Sequence, residues 1–262
     1  CAMPKTWWAE HFSHLPPMVG KEGWLVVELH WRLDHEGAVG RLPAEDLWAR
    51  AEPWSVAGQP ALRLDAVDTA LHLCYHAVVQ HRARLGLRAL CDLVQVTARW
   101  GQDEWQALVR RAKAYGLARP VVLMAVLAGQ TLGLDTPAEV MAALQPADEP
   151  ALPEDLVGTL LSLDASTEAR VPVAAVQAGA QGTLGARLRH LLWHLFLPRE
   201  GMAVVYDIPA DSPRIWLTYL RRPVDLVRRY GGSTWGVLRG RQEAYEAWQR
   251  ERWLESWLAG EG

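Results

Sequence analysis

Phenylalanine is almost missing from this chain, with 2 residues in 262 against 14 tryptophans. The imbalance reads first as compositional bias and second as an aromatic binding groove. Cysteine is scarce as well. Cys1, Cys74 and Cys91 have no metal-ligand spacing and form no Cys-x-x-Cys pair, which excludes the common thiolate zinc and dithiol redox motifs. Cys74 and Cys91 fall within apolar helical patterns, where a reduced, buried thiol is expected; this favours the cytoplasm over an oxidising compartment. There is no glycine-rich phosphate loop and no Gly-x-Ser-x-Gly elbow, so the P-loop and α/β-hydrolase motifs are excluded. The net charge of -3 is too small to point to nucleic acid. The Arg221-Arg222 and Arg228-Arg229 pairs have acidic neighbours and read as solvated faces. No signal peptide and no apolar run of spanning length are present, since residues 191–197 are too few and arginine-flanked. No membrane role is expected.

What remains is ordinary for a globular protein, 50% hydrophobic and 22% charged, with room for one or two domains. One stretch stands out. Residues 25–32 alternate, placing Leu25, Val27, Leu29 and Trp31 on one strand face and Val26, Glu28, His30 and Arg32 on the other. The apolar face is expected to cover a core, leaving Glu28 and His30 for polar chemistry. His11–Met18 is the expected partner strand, with Gly20–Gly23 as the turn.

Residues 33–64 carry Pro43, Pro53 and Pro60 and read as irregular, apart from a short helix near Ala44–Ala51. From Asp65 the period becomes helical. Asp65 is the predicted N-cap of a helix over Ala66–His81 with Val67, Leu71, Cys74 and Val78 on its inner stripe. A second helix spans Leu87–Trp100, with Leu87, Leu90, Val94 and Ala98 inward. A third, capped by Asp103, stops at Gly116. A fourth opens at Pro120 and ends near Gly133. Thr136-Pro137-Ala138-Glu139 reads as a capping box with proline at the first helical position. The proline-rich, acidic segment 145–153 is the expected boundary. Beyond it, helices are expected over 154–163, 184–197, 213–230 and 241–258, with Pro223 breaking or kinking the third. The predicted fold is mainly α with a small N-terminal antiparallel β element. Its parts are residues 1–64, a helical bundle over 65–145 and a C-terminal helical region over 153–262.

Candidate chemistry begins with Glu28 and His30, about 7 Å apart on one strand face. A carboxylate there can hold a divalent cation, and the imidazole can orient it or meet a phosphate. The plainer alternative is a solvated face with an ion pair to Arg32. His72 and His76 stand i and i+4 on one helix, the geometry of a two-histidine metal site. No His-Glu-x-x-His arrangement accompanies them, and His81 lies nearly opposite His72 unless the helix bends. Asp92 can pair with one of these imidazoles or with Arg88. A helix–sheet junction of structural histidines is the plainer reading.

The order and spacing of several motifs point further. His11-Phe-Ser-His14-Leu-Pro, Val27-Glu-Leu-His-Trp31, Leu71-His-Leu-Cys-Tyr-His76 with His81, and Leu90-Cys-Asp-Leu93 resemble a poorly characterised bacterial nucleotidyltransferase family of the DNA polymerase β superfamily. Trp105, Arg111-Ala112 and Gly116-Leu117 look like its helical middle, and Leu217–Pro223 like its C-terminal part. The resemblance implies transfer of NMP from NTP–Mg²⁺ to a hydroxyl of an unknown small-molecule or protein acceptor, with carboxylates holding two metal ions. It also implies that the β element is the remnant of an α+β nucleotidyltransferase core. By this likeness Glu28 is the third metal-binding carboxylate, with His30 beside it and His14, His72, His76 and Asp92 as supporting residues. The Asp-x-Asp strand that such enzymes place earlier is not found before Glu28. Pro4, Lys5, Trp7 and Trp8 read as domain interior, so the chain is expected to begin mid-domain and to be inactive alone. Two other readings stand beside this one. They are a non-catalytic helical binding module, and a metal hydrolase built on His72 and His76 with Glu28 or Asp92.

Overall fold

The computed structural model describes residues 14–15, 18–20, 25–34, 40–83, 87–145, 195–206, 208–238 and 252–260, with single positions at 152, 185 and 192. The chain forms two compact units. One comprises Phe12–Thr167 with Trp257–Gly262, the other Cys1–His11 with Glu168–Ser256. The described residues are mainly helical, with small antiparallel hairpins near the N-terminus.

In the first unit, β1 (Met18–Val19) pairs with β2 (Val26–Val27) in the register Met18↔Val27 and Val19↔Val26. The Gly20 N–H donates to the Leu25 carbonyl at 2.7 Å, and the Leu15 N–H to the Leu29 carbonyl at 2.8 Å. His14 bridges His30. The expected hairpin is present, although most of its turn lies outside the described residues. Its register moves by one residue between Met18↔Val27 and His14↔His30, and such a slip exchanges the two faces of a strand. The expected buried face is corrected accordingly. Leu25, Val27 and Leu29 are exposed, as is Val26, and only Trp31 is half-buried. Alternation separates two faces; it does not say what covers either.

α1 (Ala44–Arg50) falls where the short helix is predicted. The residues after it are not irregular. β3 (Glu52–Val56) and β4 (Gln59–Arg63) form a second hairpin, paired from Glu52↔Arg63 to Val56↔Gln59. Ala57 and Gly58 turn it with φ of 50° and 78°, a two-residue loop with both residues left-handed. Pro53 and Pro60 are tolerated because each strand of a two-stranded ribbon keeps a free edge.

Asp65 caps α2 (Ala66–Cys74) as predicted, its carboxylate accepting from the Asp68 N–H at 2.7 Å. Val67, Leu71, Cys74 and Val78 are all buried. The helix continues as a π turn over Tyr75–Gln80. α3 (Leu87–Thr97) buries Ala89, Leu90, Leu93 and Thr97. Leu87, Cys91 and Ala98 are exposed and Val94 is half-buried, so the inner face is rotated from the predicted one. α4 (Gln102–Ala114) starts one residue before the expected cap. The Glu104 carboxylate accepts from the Gly101 N–H at 2.9 Å, the back-bond of a capping box, and Asp103 lies inside the helix. α5 (Ala118–Leu132) ends at Gly133 with φ of 71°. α6 (Ala138–Leu144) takes the Pro137 carbonyl as its first acceptor, so Thr136 is not its cap, and the buried Thr136 hydroxyl has no partner among the described residues. α2 packs on α3, α4 and α5, while α6 packs on α4 and α5.

A buried ion network ties three of these helices together. The Asp68 carboxylate is 0% exposed. It accepts from Arg50 Nε at 2.8 Å and Nη2 at 3.1 Å, and from Arg111 Nη1 at 2.9 Å. Arg111 also donates to Asp65 at 2.7 Å, and Arg50 to the Tyr115 hydroxyl at 2.9 Å. That hydroxyl donates to Asp46 at 2.8 Å. Burial alone would lower the Arg50 pKa, but the hydrogen bonds with Asp68 and Tyr115 raise it above the usual guanidinium range. Nearby, Gly40 holds φ of 76°, and an added Cβ would clash with Leu117 Cδ2. Only glycine lets the 40–42 segment lie against the α4–α5 junction, where the Arg41 N–H reaches the Tyr115 carbonyl at 2.8 Å.

In the second unit, α7 (Arg199–Tyr206) packs on α8 (Ile215–Leu238) around Met202, Ala203 and Ile215. The Tyr219 hydroxyl donates to the Leu197 carbonyl at 2.8 Å, and the Tyr206 hydroxyl to Asp225 at 3.1 Å. α8 runs on past Pro223 instead of ending there. The predicted helix 154–163 and nearly all of the 145–153 boundary lie outside the described residues.

Leu71 is fully buried and Leu87 is 55% exposed. Leu71→Ala is expected to cost about 2–5 kcal/mol, and Leu87→Ala less than about 0.5 kcal/mol. Urea unfolding of the two variants checks this; equal losses would mean that the α3 face is misassigned.

Candidate active site

The hairpin and the α2–π segment bring the sequence-predicted residues to one region of the first unit. Gln80 Nε2 donates to the Leu33 carbonyl at 3.0 Å, holding the π turn to the chain just beyond the hairpin. Glu28 is 46% exposed, and its Oε2 lies 3.6 Å from His30 Nε2. The carboxylate therefore meets His30 rather than Arg32. The His14 and His30 rings lie 4.9 Å apart, and His14 Nδ1 lies 2.7 Å from the Leu15 carbonyl.

The π turn changes the geometry of the histidines. An α-helix would carry His81 away from the face that holds His72. Here the His81 N–H donates to the His76 carbonyl, five residues back, at 3.0 Å. A turn widened by one residue places positions five apart over one another. The ring centroids of His72 and His76 are 5.6 Å apart, and those of His76 and His81 4.4 Å. His76 and His81 meet Nε2 to Nε2 at 3.2 Å, one donating and the other accepting. His30 also lies within electrostatic reach of His72 and His76. Burial, with the charges of His76 and His30 adding to it, pushes the His72 imidazole down to about 4. Burial lowers His76 as well, reinforced by His81 and His30. His72 is therefore neutral at pH 7, and its buried Nδ1 has no hydrogen-bond partner among the described residues.

The remaining candidates stand apart. Asp92 is exposed on α3 and pairs with neither Arg88 nor a histidine among the described residues. Asp34, the next carboxylate after Glu28, accepts from the Leu42 N–H at 2.9 Å. Among the described residues no three His, Cys, Asp or Glu side chains converge to hold a metal ion. Glu28 thus stands without the companion carboxylates that a two-ion Mg²⁺ site requires, and the described residues alone do not fit that cofactor. Sequence reasoning missed the contribution of His81. The signal was the spacing itself, because His76-x4-His81 matches a π turn and not an α turn.

Residues 5–133 match the family described as uncharacterised nucleotidyltransferase. This match, from ahead of the first hairpin to the end of α5, supports a nucleotidyltransferase family for the residues it covers. No curated protein and no solved structure matches the chain. Among the described residues no helix is long and apolar enough to cross a membrane.

The depressed His72 pKa sets a pH dependence. The unfolded chain binds a proton near pH 6.5 that the folded chain takes up only near pH 4, so the unfolded state holds more protons in between. The stability that neutral His72 confers is fully present above about pH 6.5. It is lost as pH falls toward 4, by about 3 kcal/mol. His72→Gln is expected to flatten the urea-unfolding free energy over that window. An unchanged slope would show that His72 titrates normally in the folded protein.

Proposed function

We propose that this chain takes part in NMP transfer from an NTP to a hydroxyl acceptor, a small molecule or a protein. The family match over residues 5–133 carries the reading. Glu28 supports it: a half-exposed carboxylate at the strand position where the resemblance places a metal ligand, held beside His30. In this reading Mg²⁺ is the cofactor, and when bound it neutralises charge on the phosphates. Glu28 would share it with carboxylates from outside the described residues. His30 orients Glu28, and burial holds the pKa values of His72 and His76 below the usual imidazole value. Nucleic acid is not the expected acceptor. The cytoplasm is the proposed location, since its reducing conditions suit the buried Cys74 thiol, whose pKa burial raises to about 12.

The test compares the 262-residue chain with the full product of its gene, incubated with labelled NTPs and Mg²⁺ or Mn²⁺, following pyrophosphate release. The chain alone is expected to be inactive. The full product is expected to turn over and to lose about 10²-fold or more on Glu28→Gln, the scale of one lost electrostatic contact at a reacting centre. Turnover indifferent to Glu28→Gln would overturn the assignment of Glu28, and robust turnover by the chain alone would show that its own carboxylates suffice.

A further inference from the structure

The first unit holds an open cavity of about 440 Å³ where the start of α4 meets the start of α6, and neither Glu28 nor any of the histidines lines it. Two indoles form its apolar side. Trp105 is buried and Trp100 half-buried, and their rings meet edge to face with centroids 4.9 Å apart. Exposed polar side chains stand at the mouth. Gln102 and Gln106 lie one turn apart on the same face of α4, and Glu139 comes from α6. None of these three makes a side-chain hydrogen bond or ion pair among the described residues. Two buried polar atoms beside the cavity also have no partner among the described residues. They are Trp100 Nε1 and the hydroxyl of Thr136, the residue before Pro137 of the cavity wall. A buried donor left unpaired is costly, so a ligand oxygen within reach would remove a standing penalty. No lysine, arginine or histidine is among the described residues that line the cavity.

We propose that this cavity binds a neutral sugar. A pyranose has an apolar face of C–H groups and a rim of hydroxyls that both donate and accept. The cavity carries the matching parts: indole surface for the ring face, amides that donate and accept, and a carboxylate that accepts. The same residues disfavour other small ligands. A phosphate or carboxylate would find no cation to pair with and would face Glu139. A wholly apolar ligand would cover the glutamine amides without pairing them. The volume agrees, since small-molecule pockets run from about 300 to 1,000 Å³. No hydrogen bond among the described residues holds the Trp100 indole, so its ring is free to turn and offer the N–H to a sugar oxygen. The inference is independent of the nucleotidyl-transfer reading. Glu139 lies beyond residue 133, where the family match ends, and binding needs neither metal nor turnover.

The experiment is saturation-transfer NMR, followed by calorimetric titration, of the intact 262-residue chain with glucose, galactose, mannose, N-acetylglucosamine, maltose and cellobiose. Glucose 6-phosphate and spermidine serve as anionic and cationic probes. At least one neutral sugar is expected to bind with a Kd of about 1 mM or tighter, and each charged probe about tenfold or more weaker than that sugar. Gln106→Ala and Glu139→Ala should each weaken the sugar about fivefold, the scale of one hydrogen bond. Trp100→Ala should weaken it more than Trp100→Phe, which keeps an aromatic face. Gln106 and Glu139 are exposed, so their variants are expected to fold, and thermal melts verify that. No binding by any of the neutral sugars overturns the proposal. Binding indifferent to both Gln106→Ala and Glu139→Ala overturns it as well, as does tighter binding of glucose 6-phosphate or spermidine than of every neutral sugar.

Discussion

The Asp68 carboxylate is the constraint on which the first unit depends. A carboxylate with no solvent exposure is tolerable only when it is paired and hydrogen-bonded, and here two guanidiniums and a helix N-terminal N–H surround the Asp65–Asp68 pair. The consequence is geometric. Arg50 comes from α1, Asp65 and Asp68 from the start of α2, and Arg111 and Tyr115 from the end of α4. Sliding any one of these helices by a turn would leave a buried charge uncompensated, at a cost of about 3–5 kcal/mol. The network thus fixes α1, and with it the strand that begins at Glu52. It also fixes the start of α2, two turns before His72.

The π turn does the corresponding work at the other end of α2. The apolar stripe Val67, Leu71, Cys74 and Val78 stays buried throughout, so the helix stays seated on the core while its polar face is rewound. That is how His72, His76 and His81 come to share a side, with His30 of the hairpin electrostatically close. The partly buried His72 and His76 imidazoles, whose pKa values burial lowers, suit hydrogen bonding better than anion binding.

The helical body was legible where one local rule decided the outcome. Asp65 as a cap, the 67–78 stripe and Gly133 as a stop each follow from backbone geometry or burial alone. Legibility failed where neighbours decided it. The Ala57-Gly58 turn lacks the usual Asn-Gly signature, and its strands contain prolines that only a two-stranded ribbon accepts. The α3 face is rotated because Leu87 and Ala98 are apolar but lie outside the contact surface. Cys91 is exposed for the same reason. At the candidate site, the closeness of Glu28 and His30 was readable from strand spacing. The approach of His81 was not, because the pattern was read with an α period. Nor was the Asp68 network, although an aspartate one position from Val67 and three from Leu71 on a buried stripe carried the hint.

The central claim is that buried charge pairing, and not surface attraction, locks α1 onto α2. A double-mutant cycle on Arg50→Ala and Asp68→Asn, read by urea unfolding at neutral pH, tests it most directly. The bidentate, desolvated geometry is expected to give a coupling energy of about 1–3 kcal/mol, little changed by 0.5 M salt. A coupling below about 0.5 kcal/mol, or one that salt removes, is the signature of an exposed pair and would contradict the account.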